Sequence, residues 1–260
     1  MNTQKPTYTI KPLYLGELTE YEKSMHTYRA DYEVKVNSPF LAFLVQGDGL
    51  NILVDTGPKD IERVKKNHGH VKVKLPPEQK LMTVLERHGL TAEDIDFIIC
   101  THLHWDHCQN NDCFPGKKVY VQKKEVRYAI DPLLVHYYTY EAPEAGLVPI
   151  WATAGNKLVI VDGDVEIIPG IEVILTPGHS PGSQCVRVNT TQGKYLIAGD
   201  TVNLYENWYG NELYDHIPGG IHVNLAEVEA SFAKLDNTEF VEILPGHDMK
   251  VLAHASYPYK

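Results

Sequence analysis

Residues 101–107 read Thr-His-Leu-His-Trp-Asp-His, so His102, His104, Asp106 and His107 place four metal-ligand side chains within six residues. Neutral imidazole and carboxylate are donors that borderline divalent metals such as zinc accept. Four donors this close cannot all reach one ion without strain, and the spacing therefore points to two. A loop merely rich in histidine would not be matched elsewhere, yet three candidates follow: His179 in Gly178-His179-Ser180, Asp200 in Gly199-Asp200-Thr201, and His247 in Gly246-His247-Asp248. Two ions a few ångströms apart lower the pKa of a shared water from about 15.7 toward 7. Hydroxide is then available at neutral pH to attack a carbonyl carbon, one ion polarising the carbonyl and the other receiving the leaving alkoxide. Asp106 has the chemistry to orient that hydroxide and pass its proton to the leaving group. Esters, lactones, thioesters and strained amides all suit such a site.

Each candidate follows a strand-like run. Ile95–Cys100 precedes the histidine motif, Ile171–Leu175 with its breaker Thr176-Pro177 precedes His179, Lys194–Ala198 precedes Asp200, and Val241–Pro245 precedes His247. A glycine beside each of the last three lets a loop bend its side chain toward a common centre. Residues 39–46, the turn Gly47-Asp48-Gly49 and residues 50–55 read as a β-hairpin. Residues 79–87 read as a helix that Gly89 can stop, and Asn224 can cap a helix over 225–235 with Leu225, Val228, Phe232 and Leu235 on one face. Strands alternating with helices in two halves predict an α/β fold, an αββα sandwich in which two mixed β-sheets pack face to face with helices on the outer faces. Residues 1–260 are expected to form a single domain of this kind, with aromatic-rich insertions near 17–38 and 127–156.

Composition restricts the partners. With 43% hydrophobic and 22% charged residues in 260, the chain has the make-up of a globular protein. No run approaches 18 apolar residues, so no membrane span is expected, and the opening Met1–Pro6 lacks the apolar segment of a secretory signal. Cytoplasmic localisation is the expectation. The formal charge of −10 disfavours nucleic acid, which is bound through basic patches, and runs such as Arg63–Lys66 and Lys117-Lys118 read as solvated faces. A small neutral or weakly charged substrate fits better. Cys100, Cys108, Cys113 and Cys185 show no zinc-knuckle spacing and are expected to be reduced thiols, as a reducing compartment allows. A sensor on such a scaffold would have lost ligands, and a redox protein would need a flavin or electron-transfer partner; the ligand set is full and no Gly-rich dinucleotide fingerprint follows a strand.

With its H-x-H-x-D-H run, later His, Asp and final His, and Asp55-Thr56-Gly57 after Leu50–Val54, the chain resembles the metallo-β-lactamase superfamily over nearly its whole length. The resemblance implies that His102, His104 and His179 hold one metal, that Asp106, His107 and His247 hold a second, and that Asp200 bridges them. It implies two divalent ions, zinc first, with iron, manganese or cobalt also compatible. Within the superfamily the chain looks most like the N-acyl homoserine lactonase group, in its length, its Thr-His-Leu-His-Trp-Asp-His form and its short ending. The function this implies is opening of a lactone by a dinuclear metal-dependent hydrolase, as a monomer or homodimer. The alternatives are another ester, a thioester as in the glyoxalase II type, or a β-lactam. Glyoxalase II-type chains usually add a C-terminal helical domain, for which the 13 residues after His247 leave no room. Where the lactonases carry Tyr three residues after the bridging Asp, this chain has Asn203; Asn203 and Tyr205 are the candidate substrate-contacting residues beside Asp106.

Asp55 reads as a hydrogen-bonding residue beneath the site rather than a ligand. His68 and His70 are expected in a solvated loop and His26 and His254 at the surface, while His216 and His222 flank a Pro-Gly-Gly turn that could border the pocket. The insertion residues Tyr21, Met25, Tyr28 and Tyr32 in the first and Tyr128, His136, Tyr137, Tyr138, Tyr140 and Trp151 in the second are candidates for a substrate wall or an interface.

Overall fold

Along Lys35–Gly47 (β2) successive side chains enter two different cores. Leu41, Phe43 and Val45 join one, and Phe40, Ala42 and Leu44 the other. Such a strand is buried on both faces, which is why its sequence is a near-continuous apolar run rather than an alternation. The same division holds in Leu50–Val54 (β3), where Ile52 and Val54 oppose Leu53, and in Gly193–Gly199 (β11), where Tyr195 and Ile197 oppose Leu196 and Ala198.

The computed structural model describes residues 5–259. A seven-stranded sheet contains Thr9–Glu22 (β1), β2, β3, Val73–Lys74 (β4), Phe97–Ile99 (β5), Lys118–Gln122 (β6) and Lys157–Val161 (β7), in the order β4-β1-β2-β3-β5-β6-β7. Val165–Ile168 (β8), Ile171–Leu175 (β9), Gln184–Thr190 (β10), β11 and Glu242–Pro245 (β12) form a five-stranded sheet in the order β12-β11-β10-β9-β8. Both sheets are mixed: β3, β5, β6 and β7 pair in parallel, as do β11 and β12, and the other pairings are antiparallel. One core lies between the sheets, joining Phe43, Ile52 and Ile99 to Val173, Val186 and Ile197. On the outer face of the larger sheet pack Ile61–Asn67 (α1), Leu81–Arg87 (α2), Lys123–Ile130 (α4) and Ile150–Thr153 (α5), through residues such as Val64, Leu85, Ala129 and Trp151. On the outer face of the smaller sheet packs Leu225–Asp236 (α7), through Val228, Phe232 and Leu235. Two short helices, Trp105–Cys108 (α3) and Tyr205–Tyr209 (α6), occupy loops that follow β5 and β11. This is the expected αββα arrangement.

Local signals account for the boundaries. Asp48 and Gly49, both at positive φ (52° and 76°), make the two-residue turn of the β2–β3 hairpin. Asn224 accepts from the backbone N–H groups of Ala226 and Glu227 and so caps α7. The expected first insertion is different in kind. Residues 17–22 continue β1 and 35–38 open β2, leaving 23–34 outside strands. The second excursion holds the end of α4, single helical turns at 134–136 and 143–145, and α5.

Candidate metal centre

The seven proposed ligands converge on one edge of the sandwich. His102, His104, Asp106 and His107 follow β5, His179 follows β9, Asp200 follows β11, and His247 follows β12. The β11 exit needs glycine: Gly199 has φ +50°, and a Cβ there would stand 2.7 Å from Thr101 Oγ1. His179 Nε2 lies 3.2 Å from His102 Nε2 and 3.0 Å from His104 Nδ1. Asp106 Oδ2 lies 3.8 Å from His107 Nε2 and 3.9 Å from His247 Nε2. Asp200 stands between these two sets, with Oδ1 at 3.1 Å from both His107 Nε2 and His247 Nε2, and Oδ2 at 3.4 Å from His179 Nε2. Three groups, His102/His104/His179, His102/His107/Asp200 and Asp106/His107/His247, each bring their ligand atoms within 4.8 Å of one another.

The surroundings fix which nitrogen of each ring faces the centre. His179 Nδ1 donates to the Ile221 carbonyl (2.9 Å), His247 Nδ1 to the Pro39 carbonyl (2.9 Å) and His107 Nδ1 to Asp55 Oδ2 (2.8 Å). Thr101 Oγ1 donates its single proton to Asp55 Oδ2 (2.7 Å) and so accepts from His102 Nδ1 (3.0 Å). Four imidazoles therefore turn Nε2 toward the same space. Asp200 Oδ1 and His107 Nε2 are buried and have no hydrogen-bond partner, although they lie 3.1 Å apart. They aim at a common point rather than at each other. Buried orphans of this kind are costly, and lone pairs with carboxylates around a shared point are the donor set of a divalent cation. The residues present fit two such ions.

Electrostatics agree. Burial and the neighbouring imidazoles hold His102 and His104 well below the ordinary histidine range, so they are neutral donors. Against burial, Asp200, Asp106 and Asp55 push His107 well above that range, and His247, His107 and His179 pull Asp200 well below its own. The carboxylates thus draw positive charge onto His107 and His247, as they would onto a bound cation.

A cavity of about 260 Å³ opens over the cluster. Leu18, Tyr21, Met25 and His26 line one side, Val135, His136 and Thr139 another, with Trp105 and Ile221 between. Both aromatic-rich segments thus build its wall. Asn203 also lines it, buried, with no hydrogen bond to its side-chain amide among the described residues. Tyr205 does not reach it: its side chain turns into the core toward Tyr257 and Glu242, because residue 205 opens α6 and packs under the loop. The expectation for Tyr205 is corrected on that ground.

Several histidines also depart from expectation. His68 is buried and stacks on Trp105 at 4.3 Å, whereas His70 is exposed as expected, although it also lines the cavity. His26 is buried, bonded to Ser38 Oγ (2.9 Å) and stacked on His247 at 5.4 Å. His216 and His222 face neighbouring carbonyls, those of Trp208 and Gly219, and do not line the cavity. The four cysteines are unpaired, and Cys108 buries its thiol against the Leu103 and His104 carbonyls. Burial pushes that thiol well up, and it belongs to none of the three ligand groups.

One residue had no sequence signal. Glu125, in the first turn of α4, is fully buried and accepts from Leu103 N–H (2.9 Å), the Tyr140 hydroxyl (2.9 Å), Ser180 Oγ (2.6 Å) and Gly182 N–H (3.1 Å). It ties the histidine-motif loop to the His179 loop. A glutamate at that position of a helix reads as an ordinary surface residue.

The family model described as Metallo-beta-lactamase superfamily matches residues 41–256. An N-acyl homoserine lactonase of Bacillus cereus is 30% identical over 181 residues, 66% of this chain and 68% of that one. The N-acyl homoserine lactonase AttM of Rhizobium radiobacter is 27% identical over 193 residues, 69% of each. Among solved structures, an N-acyl homoserine lactone hydrolase with N-hexanoyl-L-homoserine at its catalytic metal centre superposes with a TM-score of 0.77 at 24% identity, covering 96% of both chains. AidC, a dizinc quorum-quenching lactonase, gives 0.68 at 18% identity over 95% of this chain and 89% of its own.

Proposed function

The chain belongs to the metallo-β-lactamase superfamily, and from that premise we propose that it is a metal-dependent hydrolase that opens the ester of a lactone at a dinuclear site. The observation that carries the reading is Asp200, placed between two ligand triads with one oxygen toward each and no hydrogen bond to Oδ1. His102, His104 and His179 would hold one ion, Asp106, His107 and His247 the other, and Asp200 both. Bound divalent ions, zinc first, supply Lewis acidity toward a carbonyl oxygen and acidify water to near neutrality.

The chain's own groups do the rest. Asp106, less buried than the histidines and lining the cavity, takes the proton from the attacking water and returns it to the ring oxygen as the C–O bond breaks. The product is a hydroxy acid, with no redox change. Asn203 offers its free amide to the acyl group. Leu18, Met25, Val135 and Ile221 take the carbon skeleton out of water. The lactone named by similar relatives is an N-acyl homoserine lactone, and this is the first substrate class to try. About 260 Å³ is small beside ligand clefts of roughly 300–1,000 Å³, which favours a compact lactone with a short acyl group.

The test is proton release by metal-loaded protein on acyl homoserine lactones, γ- and δ-lactones, a thioester and a β-lactam, with metal content read on the same sample. Two ions per chain and selective lactone opening are expected. Asp106→Asn should keep the fold and lose at least about a hundredfold in kcat. Fewer than two ions, or turnover of the thioester or β-lactam alone, would sink the proposal.

A further inference from the structure

The pairing of β1 with β2 slips between Leu18, opposite Ser38, and Tyr21, opposite Val36, and Glu20 within the slip has φ of +51°. In an unbroken strand, residues three apart point to opposite faces. Here Leu18 and Tyr21 both line the cavity. A left-handed backbone at a non-glycine residue is strained, and bulges beside sites re-aim side chains. What this one delivers is the Tyr21 ring. It lies 5.2 Å from His26, centroid to centroid, and His26 stacks in turn on His247. Asp106 and Asp200 are the carboxylates whose charge reaches its phenol. Among the described residues that hydroxyl has no hydrogen-bond partner, whereas the hydroxyls of Tyr14, Tyr128, Tyr140 and Tyr257 all have one.

We propose that Tyr21 is a catalytic residue: its hydroxyl donates a hydrogen bond to the oxygen of the scissile carbonyl, from the side of the cavity formed by β1. The proposal rests on the ester-hydrolase reading above. A phenol is an acidic donor, and its bond strengthens as the carbonyl oxygen gains charge, so its effect falls on kcat more than on KM. The strain at Glu20 is then the cost of holding the donor over the ligand cluster, where regular strand geometry would turn it away.

Tyr21→Phe keeps the ring against His26 and removes only the hydroxyl; Tyr21→Leu removes both. With metal-loaded protein and N-hexanoyl homoserine lactone as probe, kcat of Tyr21→Phe should fall about a hundredfold, with KM moved less than threefold. Metal content and melting temperature should match the wild type. A Tyr21→Phe variant within threefold of wild-type kcat would overturn the proposal, whatever Tyr21→Leu does. If the wild type opens no lactone but cleaves the thioester or β-lactam, the lactone reading fails alone, and the same kcat comparison on that substrate decides Tyr21. A wild type inactive on every probe overturns both.

Discussion

Asp55 fixes the direction in which two ligands point their lone pairs. Its carboxylate accepts from Thr101 N–H and Thr101 Oγ1, both at 2.7 Å, and from His107 Nδ1 at 2.8 Å, and the threonine hydroxyl carries the effect on to His102. The residue leaves β3 with φ of +60°, a backbone cost that the three accepted bonds offset. Asp55→Asn puts an amide N–H₂ where one oxygen accepted, so a donor meets a donor and His107 can adopt the wrong tautomer. We expect metal affinity to fall about 10- to 100-fold, with loss falling first on the triad of Asp106, His107 and His247. Competition with a chromophoric chelator measures this, and unchanged affinity would remove Asp55 from the machinery. The convergence of the proposed ligands was legible because few residue types bind such ions and each stood at a strand end. Asn203 was legible by its distance from Asp200. Tyr205, two residues further on, was not, since α6 turns its side chain inward and no one-dimensional spacing reports that turn.

The excursion between α4 and β7 is tied down beside the cavity by buried contacts, of which Glu141 makes the most. Glu141 accepts from Arg63 Nη2 (2.5 Å), Asn67 Nδ2 (2.7 Å) and Gln109 Nε2 (2.8 Å), so one carboxylate joins the excursion to α1 and to the turn after the histidine motif. Burial opposes the charge, but His68, Arg63 and Asn67 outweigh it and hold the carboxyl below the ordinary glutamate range. A depressed folded pKa means that the contribution to stability is full above the unfolded value, about 4.3, and is lost as pH falls through the folded one. Glu141→Gln should cost about 2–3 kcal/mol near neutrality. The gap in melting temperature from wild type should narrow as pH falls below about 4.5. A gap constant from pH 7 to pH 3.5 would show that the charge is not what anchors the segment. The elements were largely readable where apolar runs and turn residues coincide, as in the β2–β3 hairpin and α7. The role of 127–156 was readable only as aromatic density, because the bonds that tie down the segment carrying Val135, His136 and Thr139 join residues far apart in the chain, Thr139 to Trp105 and Glu141 to Arg63.

At the scale of the molecule, the proposed ligands come from both sheets: the 102–107 run follows the larger, and His179, Asp200 and His247 follow the smaller. Ions held there would close the edge of the sandwich, and their full ligand set exists only when both sheets are docked. An ion at about a thousand times its dissociation constant adds about 4 kcal/mol to the folded state. Two would add roughly 8, which for a chain of this size is on the order of 20 °C in melting temperature. Without ions, Asp200 Oδ1 and His107 Nε2 have no hydrogen-bond partner and the ligand side chains crowd one another, so the apo edge should be the first part of the fold to open. Chelation should therefore lower the melting temperature by that order, and raise hydrogen exchange first in the loops after β5, β9, β11 and β12 rather than in the β2–β3 hairpin. Replacing His247 by alanine, which strips one triad and leaves His102, His104 and His179 intact, should give one ion per chain and about half the shift. A chelation shift below about 5 °C, with exchange raised evenly over both sheets, would mean that the ions serve chemistry alone and that the between-sheet core holds this edge closed without them.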